Sequence, residues 1–270
     1  MKMKSKQKIY FITYGDSSKY SLSKKHLISL AKESGFFENQ FSLSRKDLDY
    51  EFKAKYSDIL ANKRGGGFWI WKHRIIENLL NNINENDIVF YTDAGSSFNY
   101  HAKNKFDEYI DILNSSNYGN LRFEISKLHI EKFWTSKEIF NYFNLEVNSQ
   151  IGDSPQLVGG HLFFKKNKHT EEIINNFKKT LEFDKYLITD KYRDNQISGF
   201  IENRHDQSIL SLLTKKFGGE VLQSQTYFKE DPSQQYEYPI LSVRNYGHGI
   251  KDKLKFQFNT KGYKTTPKYF

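Results

Sequence analysis

The chain contains no cysteine, only four prolines and no long apolar run. Without cysteine there are no disulfide bonds and no thiolate ligands, so any metal ion must be bound by oxygen or imidazole groups. No segment approaches the ~18 consecutive apolar residues that a membrane-spanning helix needs. The apolar run 9–12, which follows a basic start, is too short for a signal peptide. We therefore expect a cytoplasmic protein, at most peripheral at the inner face of a membrane.

Several familiar catalytic motifs are also missing from the sequence. It has no Walker A loop, no G-x-G-x-x-G after a strand, no H-E-x-x-H and no G-x-S-x-G. These absences argue against a P-loop kinase, a dinucleotide-dependent dehydrogenase, a zinc protease and a serine hydrolase.

The composition is that of a globular, basic protein. The 270 residues include 23 Phe and 18 Tyr, so large rings supply much of the core. Lys and Arg number 41 against 32 Asp and Glu, a net charge of +9 that suits anionic partners such as nucleotides, nucleic acids or acidic membranes. The alternative is an AT-rich genome, which would also supply many Lys, Ile, Phe and Tyr residues. The charge alone therefore does not choose among these partners.

Strand-like and helix-like patterns alternate along the chain. The predicted strands are residues 9–14, 87–93, 121–125, 156–166 and 241–246. The predicted helices are residues 21–34, 46–62, 68–83, 106–113, 171–183 and 205–217, and Thr135 to Glu138 forms a capping box for one more helix through Phe143. Residues 186–203 form the longest predicted loop. This order predicts an α/β domain in which helices flank a Rossmann-like, mostly parallel central sheet.

A glycine run precedes one of these helices. Gly65, Gly66 and Gly67 can turn successive N–H groups toward one point, where the helix dipole adds positive charge. Trp71 and Lys72 follow in the first helical turn. A lysine there, in register with the apolar stripe, favours a bound anion. The alternative is that its stem packs on the stripe while its amine reaches water.

The next strand ends in an acidic residue, Asp93, followed by Ala94 and Gly95. Ligands commonly bind at the carboxyl ends of strands in open α/β sheets, and a carboxylate at the end of an apolar strand needs a cation or hydrogen-bond donors. Asp93 could also simply cap the following turn. Its predicted proximity to Lys72 favours a ligand-binding role.

Two further polar groups lie in the second half of the chain. His205, Asp206 and Gln207 follow Arg204 at a helix start, where Asp206 is either a general base, a nucleophile or a dipole-stabilising first-turn acid. His248 stands between two glycines after the last predicted strand, in a segment that fits either a metal or diphosphate ligand or a surface turn.

Together these segments resemble the GT-A-type glycosyltransferases that assemble bacterial and large-virus polysaccharides, including capsule and lipopolysaccharide. The matching residues are Arg64 to Lys72, Tyr91 to Gly95, Gly159 to Phe164, Arg204 to Leu210 and His248 to Lys251. The resemblance implies a nucleotide-sugar donor, a glycan or lipid-linked acceptor, and transfer to an acceptor hydroxyl.

The resemblance also implies roles for individual residues. It implies catalytic roles for Asp93, His205 and Asp206, donor contacts at Tyr14, Asp16, Gly66, Gly67, Trp71, Lys72, Asp93 and Lys251, and acceptor contacts at Gly160, His161, Arg204 and Gln207. In such enzymes a D-x-D motif holds a divalent cation, Mn²⁺ or Mg²⁺, on the diphosphate, and Asp93 and His248 would be the ligands here. Because Gly95 occupies the position of the second aspartate, Lys72, Lys251 and backbone N–H groups are alternative diphosphate partners.

We expect one domain, with a donor half over about residues 1–125, an acceptor half over about 126–250 and a basic aromatic tail over 251–270. The tail either contacts an anionic membrane or is solvated. Two other functions fit parts of the sequence. A nucleic-acid-binding module would use the positive charge, although the carboxylates would repel a phosphate backbone. A sugar-1-phosphate nucleotidyltransferase would release pyrophosphate.

Overall fold

The computed structural model describes residues 7–227 and 232–242. Its strands are β1 (Ile9–Tyr14), β2 (Asn39–Leu43), β3 (Ile88–Thr92), β4 (Ser97–Phe98), β5 (Asn120–Phe123), β6 (His161–Lys165), β7 (Glu220–Leu222) and β8 (Ile240–Leu241). Right-handed α-helices cover Ser21–Ser34, Tyr50–Lys55, Ser57–Leu60, Trp71–Leu80, Lys103–Ser115, Glu131–Trp134, Lys137–Tyr142, Lys168–Phe183 and Asp206–Phe217. Short 3₁₀ turns cover Ser18–Tyr20, Arg45–Asp47, Lys185–Ile188 and Pro232–Glu237.

Six of these strands form one sheet in the order β2-β1-β3-β6-β5-β7. The β1–β2, β1–β3 and β5–β7 pairs are parallel, and β6 runs antiparallel to both of its neighbours. The start of β6 therefore lies at the same edge as the carboxyl end of β3. Strands β4 and β8 pair separately as an antiparallel ribbon. The predicted α/β class with a mostly parallel central sheet is confirmed.

Helices cover both faces of the sheet because alternate residues of its central strands point to opposite sides. In β3, Phe90 packs with Phe163 of β6 on the face covered by the helices Ser21–Ser34 and Lys103–Ser115. Val89 and Tyr91 point to the other face, where the helices Trp71–Leu80, Lys168–Phe183 and Asp206–Phe217 lie. The continuous apolar sequence of β3 is thus buried on both sides.

The predictions succeed where a segment has a strong apolar pattern. Strand β1 and the helix Ser21–Ser34 have the predicted bounds, and Gly218, at a φ of 101°, follows the helix Asp206–Phe217. The edge strands β2 and β7 were not predicted, since their exposed and half-buried residues lack an apolar run. The predicted helix over 46–62 is instead a 3₁₀ turn and two short helices.

Two local predictions are wrong. Thr135 does not cap the next helix, because its hydroxyl donates to the carboxylate of Glu131 and Ser136 occupies the N-cap position. The strand predicted over residues 156–166 is regular only from His161 to Lys165. Residues 156–160 approach that strand as a loop whose polar groups bond to both backbone and side-chain atoms, and this loop borders the site described next.

No helix in the described part of the chain is long and apolar enough to span a membrane.

Candidate active site

Three chain segments meet at the carboxyl edge of the sheet. They are the end of β3 with Asp93, the loop Gly159-Gly160 that enters β6, and the first turn of the helix Asp206–Phe217. The N–H of Asp93 donates to the carbonyl of Gly160 at 2.9 Å. A Cβ atom on Gly160 would lie 2.8 Å from Oδ2 of Asp93, so a larger residue here would displace this carboxylate.

Lys72 connects these segments from the helix Trp71–Leu80. Its side chain is 2% exposed, and its Nζ lies 2.6 Å from Oδ2 of Asp206 and 3.6 Å from Oδ1 of Asp93. The same amine donates to the carbonyl of Gly159 at 2.8 Å. A buried ammonium group needs anionic partners and hydrogen-bond acceptors, and Lys72 has both inside the protein. The predicted proximity of Lys72 and Asp93 is confirmed, with the amine held between protein groups.

The two carboxylates differ in exposure. The Asp93 side chain is 42% exposed, and its Oδ1 accepts a hydrogen bond from the hydroxyl of Tyr91 at 2.6 Å. The Asp206 side chain is 5% exposed. Burial raises the pKa of Asp206 from 3.8 to about 6, although the nearby Lys72 ammonium opposes this shift. Asp93 is therefore the carboxylate that is open to solvent, whereas Asp206 is shielded.

The glycine run forms a left-handed turn ahead of the helix Trp71–Leu80. The φ angles of its three glycines are 57°, 60° and 103°, and those of Phe68 and Trp69 are 52° and 57°. Glycine adopts such angles readily, but a residue with a side chain is strained there. The turn uses its own amides, since the N–H groups of Gly66 and Gly67 donate to the carbonyls of Lys63 and Arg64. These two residues therefore do not form the predicted anion site of free N–H groups.

His205 is another strained residue, with a φ of 59°. Its ring stacks on Trp69 with centroids 5.4 Å apart, contacts Phe68 and donates from Nδ1 to the carbonyl of Ile188 at 2.9 Å. Burial lowers the pKa of His205 to about 4. The ring is thus enclosed, and it is uncharged near pH 7. These contacts link the start of the helix that carries Asp206 to the turn before Lys72, and the catalytic role of His205 stays a prediction.

The predicted donor residues near β1 lie together. The rings of Tyr14 and Trp71 are both buried and stack at 3.7 Å, and Nε1 of Trp71 donates to the carbonyl of Gly65. Asp16 accepts from the backbone N–H of Arg45 at 2.8 Å and pairs with its side chain. Of these predicted donor contacts, Asp16 has the accessible polar group, and the two rings support the turn.

The predicted acceptor residues bond mainly to protein groups. His161 is buried and bridges the hydroxyls of Thr92, at 2.6 Å, and Ser242, at 2.8 Å. Burial lowers its pKa to about 4. The Arg204 guanidinium lies 4.3 Å from the ring centroid of Trp134, and Gln207 accepts from the N–H of Gly159.

The other two predicted ligands, His248 and Lys251, lie outside the described residues. Within residues 7–227 and 232–242, no three histidine or acidic side chains cluster as a metal site would require. Asp206 is occupied by Lys72, and Gly95 has no side chain, so Asp93 is the available carboxylate. The described side chains at this edge do not by themselves complete a divalent-cation site, and metal dependence stays a prediction.

Sequence reasoning missed several residues that support the site. Tyr91 lies in β3 two residues before Asp93, which directly follows the strand, and this spacing could have identified it. Gln156 and Arg122 carried no such signal. Arg122 is fully buried, donates to the carbonyls of Val158 and Leu210, and has its pKa lowered to about 10 by burial.

Comparisons with known proteins identify the fold. No family model and no curated protein sequence matches the chain. A crystal structure of a glycosyltransferase involved in glycosylation of the major capsid of PBCV-1 is similar, with a TM-score of 0.50 and 13% identity over 94% of this chain and 98% of that chain. Mouse xyloside xylosyltransferase 1, in its apo form, gives a TM-score of 0.43 and 11% identity over 87% and 96%. The chain thus shares the fold of the PBCV-1 glycosyltransferase.

The buried ion pair yields a first prediction. In Lys72→Met, Asp206 is left buried without its cation, so the free energy of unfolding at pH 7 should fall by about 3–5 kcal/mol. The double variant Lys72→Met/Asp206→Asn removes both charges and should recover much of this loss. Urea unfolding of the wild type, both single variants and the double variant measures the coupling. If the free energy lost in the double variant equals the sum of the losses in the two single variants, the ion pair is contradicted.

A second prediction concerns pH. Because the folded-state pKa of Asp206 lies above its ordinary value, the folded protein binds this proton more tightly than the unfolded chain does. The resulting stabilisation is fully present below about pH 4 and is lost as the pH rises through about 6, by up to about 3 kcal/mol. The difference in unfolding free energy between wild type and Asp206→Asn should therefore change over this interval. A difference that stays constant from pH 4 to 7 would show that burial does not shift this carboxyl.

A third prediction tests the left-handed turn with two glycines. Gly35, at a φ of 67°, has no atom within 4 Å of an added Cβ, so Gly35→Ala should cost about 1 kcal/mol of backbone strain. In Gly67→Ala the new Cβ would lie 2.8 Å from the backbone Cα of Leu60, so the chain must also shift. This adds about 1–3 kcal/mol. Equal losses in urea unfolding would contradict the packing of the turn.

Proposed function

We propose that the protein is a nucleotide-sugar-dependent glycosyltransferase, hexosyltransferase-like, that moves a sugar to a hydroxyl of a glycan or lipid-linked acceptor in surface polysaccharide synthesis. The observation that carries this proposal is the buried amine of Lys72, which holds one accessible and one shielded carboxylate at the ligand-binding edge of the sheet. The fold shared with a glycosyltransferase supports it.

The geometry fits sugar transfer because the groups are fixed before substrate binds. The transition state of such a reaction carries positive charge at the anomeric carbon, as in glycoside hydrolysis, and negative charge on the departing phosphate. Asp93 is accessible and held by Tyr91, so we assign it the contact with the reacting sugar or its acceptor hydroxyl. Preorganised charges of this kind need no rearrangement during the reaction.

In this proposal Asp206 and Lys72 are more deeply buried than Asp93 and stabilise its position. The ammonium group lies between the carboxylates, so it offsets their repulsion and keeps Asp93 in place. The pKa of Asp206, raised to about 6 by burial, suits the predicted role as base, which requires the acceptor hydroxyl to reach this shielded carboxylate.

The donor is proposed to bind along the edge where Asp16 and Gly66 lie close together. Its diphosphate would also contact Lys251, and His248 would join Asp93 if a divalent cation is used. Such a cation would add positive charge at the leaving group. A cytoplasmic location, with the basic tail at an anionic membrane surface, would bring the enzyme to a lipid-linked acceptor.

The proposal predicts turnover that depends on Asp93. The protein should release nucleotide from one class among UDP-, GDP- and CMP-sugars, tested with and without Mn²⁺. Asp93→Asn keeps the shape of the side chain but removes its charge, and turnover should fall at least about hundredfold. Asp153→Asn is the control, since Asp153 pairs with Lys132 at the surface.

Full turnover in Asp93→Asn would refute the assigned role. Release of pyrophosphate from a nucleoside triphosphate and a sugar phosphate would identify a nucleotidyltransferase instead. The function itself would be refuted if the protein releases no nucleotide and if UDP, GDP and CMP all leave its melting temperature unchanged.

A further inference from the structure

A chain of buried side chains runs beneath the candidate site and begins at Glu131. This carboxylate is fully buried, and its neighbours are hydrogen-bond donors. Its Oε1 accepts from the hydroxyl of Thr135 at 2.5 Å, and its Oε2 accepts from the hydroxyl of Ser211 and from Nζ of Lys215 at 2.7 Å. Because all of these partners donate, the carboxylate acts as an acceptor, and it dictates which atom of a neighbouring amide faces it.

The neighbouring amide is that of Gln156, which is also fully buried. Its Nε2 donates to Oε1 of Glu131 at 2.9 Å and to the carbonyl of Trp134 at 3.1 Å. Both partners are acceptors only. The amide nitrogen of Gln156 must therefore face the helix Glu131–Trp134, and its oxygen must face the opposite way.

Gln207 continues the chain in the same sense. Its Nε2 donates to Oε1 of Gln156 at 2.6 Å, and its own Oε1 accepts from the backbone N–H of Gly159 at 2.9 Å. The chain starts at an acceptor and ends at a backbone donor, so the two amides between them have one consistent orientation. Reversing either amide would place like atoms together at both of its contacts.

The end of this chain is the segment on which the site is assembled. The carbonyl of Gly159 accepts from Lys72, and the carbonyl of Gly160 accepts from the N–H of Asp93. A Cβ atom on Gly159 would lie 2.7 Å from Cβ of Gln207, so the two are in close contact. A shift of this segment therefore moves the acceptor of the Lys72 amine and the backbone of Asp93 together.

We propose that Gln156 and Gln207 are positioning residues that form a one-way hydrogen-bond relay from Glu131 to Gly159. The relay sets the place of Lys72 and Asp93 without touching substrate. This reassigns Gln207, for which an acceptor contact was predicted from the sequence. The catalytic consequence rests on the proposed function, whereas the relay itself is a property of the protein without substrate.

The test uses protein labelled with [¹⁵N]glycine, in which the amide of Gly159 is observed directly. Gln207→Met removes the hydrogen bond to this amide. Gln156→Met removes the preceding hydrogen bond, in which Gln156 accepts from Gln207. Gln196→Met is the matched control, because Gln196 also bridges a glutamate, Glu138, and a backbone N–H, that of Lys137. Melting temperature and the other glycine amides report global destabilisation.

In Gln156→Met the Gly159 amide should change its chemical shift and exchange with solvent about tenfold faster, as expected for a weakened hydrogen bond. The change should be smaller at Gly35 and Gly119 and absent at Gly159 in Gln196→Met. A Gly159 signal that responds to Gln207→Met but not to Gln156→Met would overturn the relay. So would equal acceleration at all glycines, after correction for the measured loss of stability.

Sugar transfer provides the second readout. Both glutamine variants should lower kcat about ten- to hundredfold while the KM for the acceptor stays within about twofold, because substrate contacts are intact. An increased acceptor KM in Gln207→Met, with an unmoved Gly159 signal, would make Gln207 a substrate-binding residue. If the wild type transfers no sugar, the proposed function fails, and the glycine spectra still decide on the relay.

Discussion

The structure of the site depends on one buried ammonium group. Lys72 brings its charge into a place that water hardly reaches, and the carbonyl of Gly159, the carboxylates of Asp206 and Asp93 and the ring of Tyr91, 5.0 Å away, compensate for the lost hydration. These partners come from three separate segments of the chain. Because an unpaired buried charge is so costly, the helix Trp71–Leu80, the loop into β6 and the last long helix must keep their relative positions.

The glycine run serves this arrangement in a way that its composition alone does not reveal. Free glycine amides would bind an anion, but here Gly66 and Gly67 use their N–H groups within the turn. The left-handed turn leads directly into the helix Trp71–Leu80, whose first turn contains Lys72. The strained residues Trp69 and His205 stack on each other, which links this turn to the helix that bears Asp206.

The asymmetry between the two carboxylates gives the site its chemical character. Asp93 is open to solvent and oriented by the Tyr91 hydroxyl, while Asp206 is enclosed and burial raises its pKa to about 6. One cation between an exposed and a buried acid fixes charge at the sheet edge before any substrate arrives. Glu131, Gln156 and Gln207 continue this fixed arrangement into the core. They support the site through hydrogen bonds in which each donor and acceptor is defined.

Local sequence signals were enough to predict several elements. The apolar runs of β1 and β3 identified the sheet, helical periodicity identified the helix Asp206–Phe217, and the predicted proximity of Lys72 and Asp93 is confirmed. How these groups are used depends on the tertiary structure. The burial of Lys72 and His205, the left-handed turn, the reversed direction of β6 and the Gln156–Gln207 link all depend on contacts between residues far apart in the chain. Such contacts leave no periodic pattern, because burial and hydrogen-bond partners are properties of the packed fold and not of neighbouring residues.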